Sequence, residues 1–70
     1  MPLQILRIQT MHHQRDRRII LDLLKDMPGV THASANLAER LIQIEHTEAL
    51  SLAAILHALR AAGYEASVLV

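Results

Sequence analysis

Seventy residues, 51% of them apolar and none of them cysteine, bound this chain to one small domain over residues 1–70, without disulfides or a thiolate nucleophile. The formal net charge is zero at pH 7 and Tyr64 is the one aromatic residue. Neither a polyanion-binding surface nor stacking platforms for single-stranded nucleic acid are therefore expected.

The stretch Leu3 to Gln9, LQILRIQ, predicts a strand, with Leu6 and Ile8 two apart on one face. TMHHQRD follows at 10–16 and places His12 and His13 side by side before Asp16. From Asp16 to Met27, the residues Ile19, Ile20, Leu23, Leu24 and Met27 recur at helical spacing. Asp16 reads as the N-cap, Arg17, Arg18, Asp22, Lys25 and Asp26 as the solvent face, and Pro28-Gly29 as the stop. VTHASAN at 30–36 alternates weakly as a second strand, Asn36 to Glu39 gives a turn, and RLIQIEH at 40–46 a third strand, close enough for a hairpin. Ser51 caps a second helix with the stripe Leu52, Ile55, Leu56 and Leu59, closed by Ala62 and ended at Gly63. YEASVLV is a final strand, with Val68 and Val70 on one face.

The order βαββαβ, with two singly striped helices, predicts an α+β ferredoxin-like sandwich. Four antiparallel strands form one sheet with both helices on one face. Right-handed crossovers put strands 1 and 3 at the centre and strands 2 and 4 at the edges. No segment nears the roughly 20 continuous apolar residues of a membrane span, and the first residues lack a signal-peptide pattern. A cytoplasmic protein with no direct membrane insertion is the expectation.

Three motifs in register carry a resemblance: MPGV at 27–30, ASANL at 33–37 and AAGYEA at 61–66. The chain resembles heavy-metal-associated domains, the soluble metal chaperones and N-terminal modules of metal-transporting P-type ATPases. Twelve residues before Pro28 stands Asp16, at the place of the second cysteine of the G-M-x-C-x-x-C loop of that family. His13 takes the place of the first cysteine, Met11 that of the Met, and Thr10 that of the Gly. The resemblance implies a metal-presenting first loop whose thiolates have become His13 and Asp16, with His12 as a further donor. Cu(I) prefers thiolates, whereas imidazole and carboxylate suit Zn(II), Ni(II), Co(II) or Cu(II). Adjacent side chains on an extended loop diverge, so His12 and His13 reach one ion only if the loop bends. Two or three ligands leave positions for water or for a second copy, giving a homodimer through loop 1.

The plain alternative makes Asp16 a helix cap and both imidazoles solvated. Met11 is expected to pack beneath the loop, and His32, His46 and His57 to be surface residues away from it. Tyr64 falls near loop 1, either packing there or donating a hydroxyl hydrogen bond. Arg15, Arg17 and Arg18 would dock an acidic transporter surface, although their charge opposes a bound cation. The leading expectation is a metal-binding protein or transporter module for metal transport or homeostasis. Its alternative is a non-metallated interaction or regulatory module. An enzyme is not expected: Arg15 and Asn36 invite comparison with acylphosphatases, but loop 1 has no glycine to cradle a phosphate.

Overall fold

A computed structural model describes residues 2–69. Its elements are β1 (Leu3–Ile8), α1 (Gln14–Lys25), β2 (Val30–Asn36), β3 (Leu41–His46), α2 (Leu52–Ala61) and β4 (Ala66–Val68). All strand pairs are antiparallel and the sheet order is β2-β3-β1-β4, so β1 and β3 are central as the crossover argument requires. Alternation sends Leu6 and Ile8 of β1, and Ile42 and Ile44 of β3, wholly into the core. None of the helices among the described residues is long and apolar enough to cross a membrane.

The core face of α1 is rotated by about one residue from the expected stripe. Ile20, Leu21 and Leu24 are buried, while Ile19 is 42% exposed. Together with half-buried Arg17 they form an i, i+3, i+4, i+7 set. Arg17 lays its stem against the sheet and its Nε donates to the Ala35 carbonyl at 3.2 Å, so it belongs to the packed face rather than the solvent face. The one ion pair among the described residues is Arg60–Glu65, so Arg18 and Asp22 do not pair.

Gly29 ends the turn after α1 at φ +100°, and a Cβ there would meet the Leu50 Cβ at 2.9 Å. Both the backbone angle and the close approach demand glycine. Between β2 and β3 the Asn36 carboxamide closes the turn. Its Oδ1 accepts from the Glu39 N–H at 3.2 Å, and its Nδ2 donates to Glu39 at 3.3 Å. A register irregularity lies between Val30 and His32, and the Thr31 hydroxyl donates to the Glu45 carbonyl at 3.0 Å.

Ser51 caps α2, its Oγ accepting from the Ala54 N–H at 3.1 Å. Ser51→Ala should therefore cost about 1 kcal/mol, read as a lower urea midpoint with an unchanged slope. β4 is shorter than expected, since Tyr64 and Glu65 lie outside it; Val70 lies outside the described residues. His46, expected on the surface, is 4% exposed. The inward row of Ile42 and Ile44 continues into it. Its Nδ1 lies 2.8 Å from the Thr47 carbonyl, and its Nε2 has no partner among the described residues.

Candidate metal-presenting loop

β1 stops at Ile8, and the chain turns back under itself before α1. The Met11 N–H bonds the Ile8 carbonyl at 3.1 Å, and the Met11 side chain is wholly buried beneath the loop, as expected. His12 and His13 are exposed beyond it. Their rings stand 6.5 Å apart, centroid to centroid, at 69° to one another, in an edge-to-face arrangement.

α1 begins two residues earlier than Asp16. His13 is the N-cap, with extended backbone angles of −122° and 156°, and Asp16 is the third helical residue. The Asp16 carboxylate reaches back along the chain. Its Oδ2 accepts from the backbone N–H of His13 at 3.2 Å and of His12 at 3.3 Å. These are donors that a helix start leaves unpaired, and a carboxylate at the third position is the acidic half of a capping box. The correction is thus one of position: Asp16 does cap α1, but from inside the first turn.

Its other oxygen is met from the far end of the chain. α2 closes in a Schellman motif, with Gly63 at φ +93°. The Gly63 N–H bonds the Arg60 carbonyl at 2.9 Å, and the Tyr64 N–H bonds the Leu59 carbonyl at 2.8 Å. That turn drops Tyr64, 8% exposed, against the start of α1, where its hydroxyl donates to Asp16 Oδ1 at 2.9 Å. Both roles open to Tyr64 are seen, the ring packing with the core and the hydroxyl bonding the loop. That hydrogen bond is also the largest cause that holds the Asp16 carboxyl below its ordinary value of 3.8, opposed by partial burial and aided by the two backbone donors. Burial, then the bond to Asp16, pushes the Tyr64 hydroxyl up. Asp16 is accordingly a fixed carboxylate at neutral pH.

A carboxylate offers about four lone-pair sites. Three donors fill three of them, two on Oδ2 and one on Oδ1, leaving a single position on Oδ1. Among the described residues, no three His, Asp or Glu side chains already converge on a common point where a metal would sit. The loop therefore gathers two free imidazoles and one nearly saturated carboxylate without closing them into a site. His32 and His57 are exposed on β2 and α2, outside this loop.

The profile of the heavy-metal-associated domain matches residues 5–65, taking in loop 1, both helices and the Tyr64 turn. The chain belongs to the heavy-metal-associated domain family. Solved structures agree in fold at low identity. A copper-binding domain from HMA7, a P-type ATPase, superposes with a TM-score of 0.94 at 20% identity, covering 100% of this chain and 96% of that one. Oxidized MerP from Ralstonia metallidurans CH34 gives 0.90 at 19%, covering 96% and 94%. The metallochaperone CopZ gives 0.88 at 19%, covering 94% and 100%. No curated protein matches the sequence significantly. Family membership supports a metal-related role for this heavy-metal-associated domain, on a chain that has no thiolate for it. His13 and Asp16 both lie inside the matched span.

The sequence missed two features of the loop. One is the position of Asp16 inside the helix, hidden because His13, the N-cap, is outside the usual Ser/Thr/Asp/Asn set. The three-residue spacing from His13 to Asp16 is that of a capping box and was the available signal. The other is Arg17 on the packed face, for which an i, i+3, i+4, i+7 count starting at 17 was the available signal.

Proposed function

We propose that this domain carries a borderline divalent metal ion, Zn(II), Ni(II), Co(II) or Cu(II), as cargo on loop 1. His13 is the principal donor, His12 the second, and Asp16 a monodentate third through the free position on Oδ1. One observation carries this reading: two exposed imidazoles adjoin a fixed carboxylate on the loop that the family match spans. Imidazole and carboxylate are the wrong partners for Cu(I) and suitable ones for harder divalent ions. Because the donors do not converge beforehand, the ion would have to draw the two rings together. Such a site binds weakly and exchanges readily, which suits transfer better than storage. The donor would be a cytoplasmic module and the recipient an acidic face of a metal-transporting P-type ATPase or similar transporter domain. Open coordination positions would also permit a homodimer sharing one ion through loop 1. The role is binding and delivery, not catalysis.

Ring proton signals should test this directly. Titration with Zn(II) or Ni(II) should move the His12 and His13 signals first. A response confined to His32 or His57 would remove the site from loop 1.

A second reading is favoured by the near-saturation of Asp16, whose three protein donors fasten it without any metal. The domain would then be a non-metallated docking module, using exposed Arg15, Arg18 and Ile19 beside the loop. Its mark would be an unchanged melting temperature in excess metal, since a ligand that binds the native state must stabilise it.

A further inference from the structure

The helices cover one face of the sheet, and the other face carries an apolar seam. Leu3, Ile5 and Arg7 alternate with the inward Leu6 and Ile8, and Leu41, Gln43 and Glu45 alternate with the inward Ile42 and Ile44, so the seam is interrupted by the polar Gln43 beside Ile5. The Leu69 N–H bonds the Ile5 carbonyl at 2.9 Å, continuing the β1–β4 ladder one residue past Val68. Alternation places Leu69 beside Ile5 on the outer face. Leu3 is 45% exposed and Leu69 44%. Charge sits at opposite ends of this seam. Glu45 is paired in register with Leu3 at one end, and Arg7 with Leu41 at the other. Neither charge has an ion-pair partner, because the one pair among the described residues is Arg60–Glu65.

We infer that this outer sheet face is a self-complementary surface, and that its occupant is a second copy of the same chain. A two-fold axis parallel to the two sheets and midway between them, running across the strands at Ile5, reverses the seam end for end. It lays Ile5 and Leu69 on their own counterparts. It also brings Arg7 of each copy over Leu3 and beside Glu45 of the other, so the ion pair forms twice. Sheets stacked about 10 Å apart leave room for both long side chains to meet. A chain of zero net charge meets no overall repulsion on pairing. The face offers about ten outward positions, roughly half of what a standard interface engages on each side, so the dimer is weak, with a Kd on the order of 0.1 mM. This surface is remote from loop 1 in its chemistry and requires no metal.

Sedimentation equilibrium in EDTA, from about 10 μM to about 1 mM protein, isolates it from any metal-bridged association. The weight-average mass should rise from monomer towards dimer over that range. Arg7→Glu and Glu45→Arg should each weaken association about tenfold or more, because every substitution acts at two symmetric contacts. The double swap R7E/E45R should restore it. Leu69→Ser should weaken it without altering the circular dichroism of the fold, the side chain being exposed. A monomer at 1 mM in EDTA overturns the inference. So does a dimer indifferent to the single charge reversals, or one that the double swap fails to restore.

Discussion

Replacing both imidazoles of loop 1, by His12→Ala with His13→Ala, should abolish the metal-induced rise in melting temperature and leave the metal-free domain nearly as stable as before. The asymmetry follows from which atoms do what. The contacts from His12 and His13 to Asp16 are made by backbone N–H groups, which alanine retains. Both side chains are exposed, so little packing is lost. The metal, by contrast, has no other nitrogen donor in the loop. Metal at one hundred times its Kd stabilises a native state by about 2.7 kcal/mol. In a domain of this size, each kcal/mol moves the melting temperature by about 4–8 °C. The parent domain should therefore gain on the order of 10–20 °C with saturating Zn(II) or Ni(II), and the double variant close to nothing. Differential scanning fluorimetry with and without metal reads both halves. A double variant that keeps the full shift places the metal elsewhere, on His32 or His57.

The fold was legible because its signals are redundant. Leu6 with Ile8, Ile42 with Ile44, and Ile55 with Leu59 each mark an inward face by period alone, and the helix stops at Gly29 and Gly63 punctuate them. α1 was legible as a helix but not in its rotation. Six apolar residues crowd 19–27, so several stripes fit the sequence equally well. Tertiary packing chose Ile20, Leu21 and Leu24, with the Arg17 stem completing the face. His46 misled for a related reason: polar type suggested the surface, while its parity with Ile42 and Ile44 placed it inside. For the loop, register against the MPGV and AAGYEA motifs located His13 and Asp16 in the family frame. The saturation of Asp16 could not be read from there. It depends on a contact 48 residues away in sequence, set by the exact turn that a Schellman motif imposes.

That long-range contact gives the second large expected effect. Asp16→Ala removes one acceptor and strands three donors: the His12 and His13 N–H groups and the hydroxyl of buried Tyr64. Tyr64→Phe removes one donor and leaves Asp16 its two backbone bonds. Asp16→Ala should therefore lower the melting temperature of the metal-free domain by on the order of 10 °C, and Tyr64→Phe by about 4–8 °C. The His12 and His13 changes should cost less than either. Phenylalanine keeps the ring, so the gap reports the hydroxyl alone, and its pH dependence tells whether that hydroxyl acts on ionised Asp16. Asp16 is depressed below 3.8 in the folded domain, chiefly by the Tyr64 hydroxyl. A carboxyl depressed by folding contributes stability that is present above its unfolded pKa and is lost as pH falls through the folded value. The gap between the parent and Tyr64→Phe should thus be full at pH 7 and shrink on the acid side of about pH 4. Urea unfolding at pH 7 and at about pH 3 measures that gap. If it is the same at both, the hydroxyl contributes without regard to the charge on Asp16. A shrinking gap makes Asp16 the fastening of the first loop to the end of α2. A carboxylate so held can offer metal only its one remaining position. Tyr64→Phe should then weaken metal binding about tenfold, as loss of the group that orients a ligand commonly does. A domain that merely docks would show the stability change with no metal response to lose.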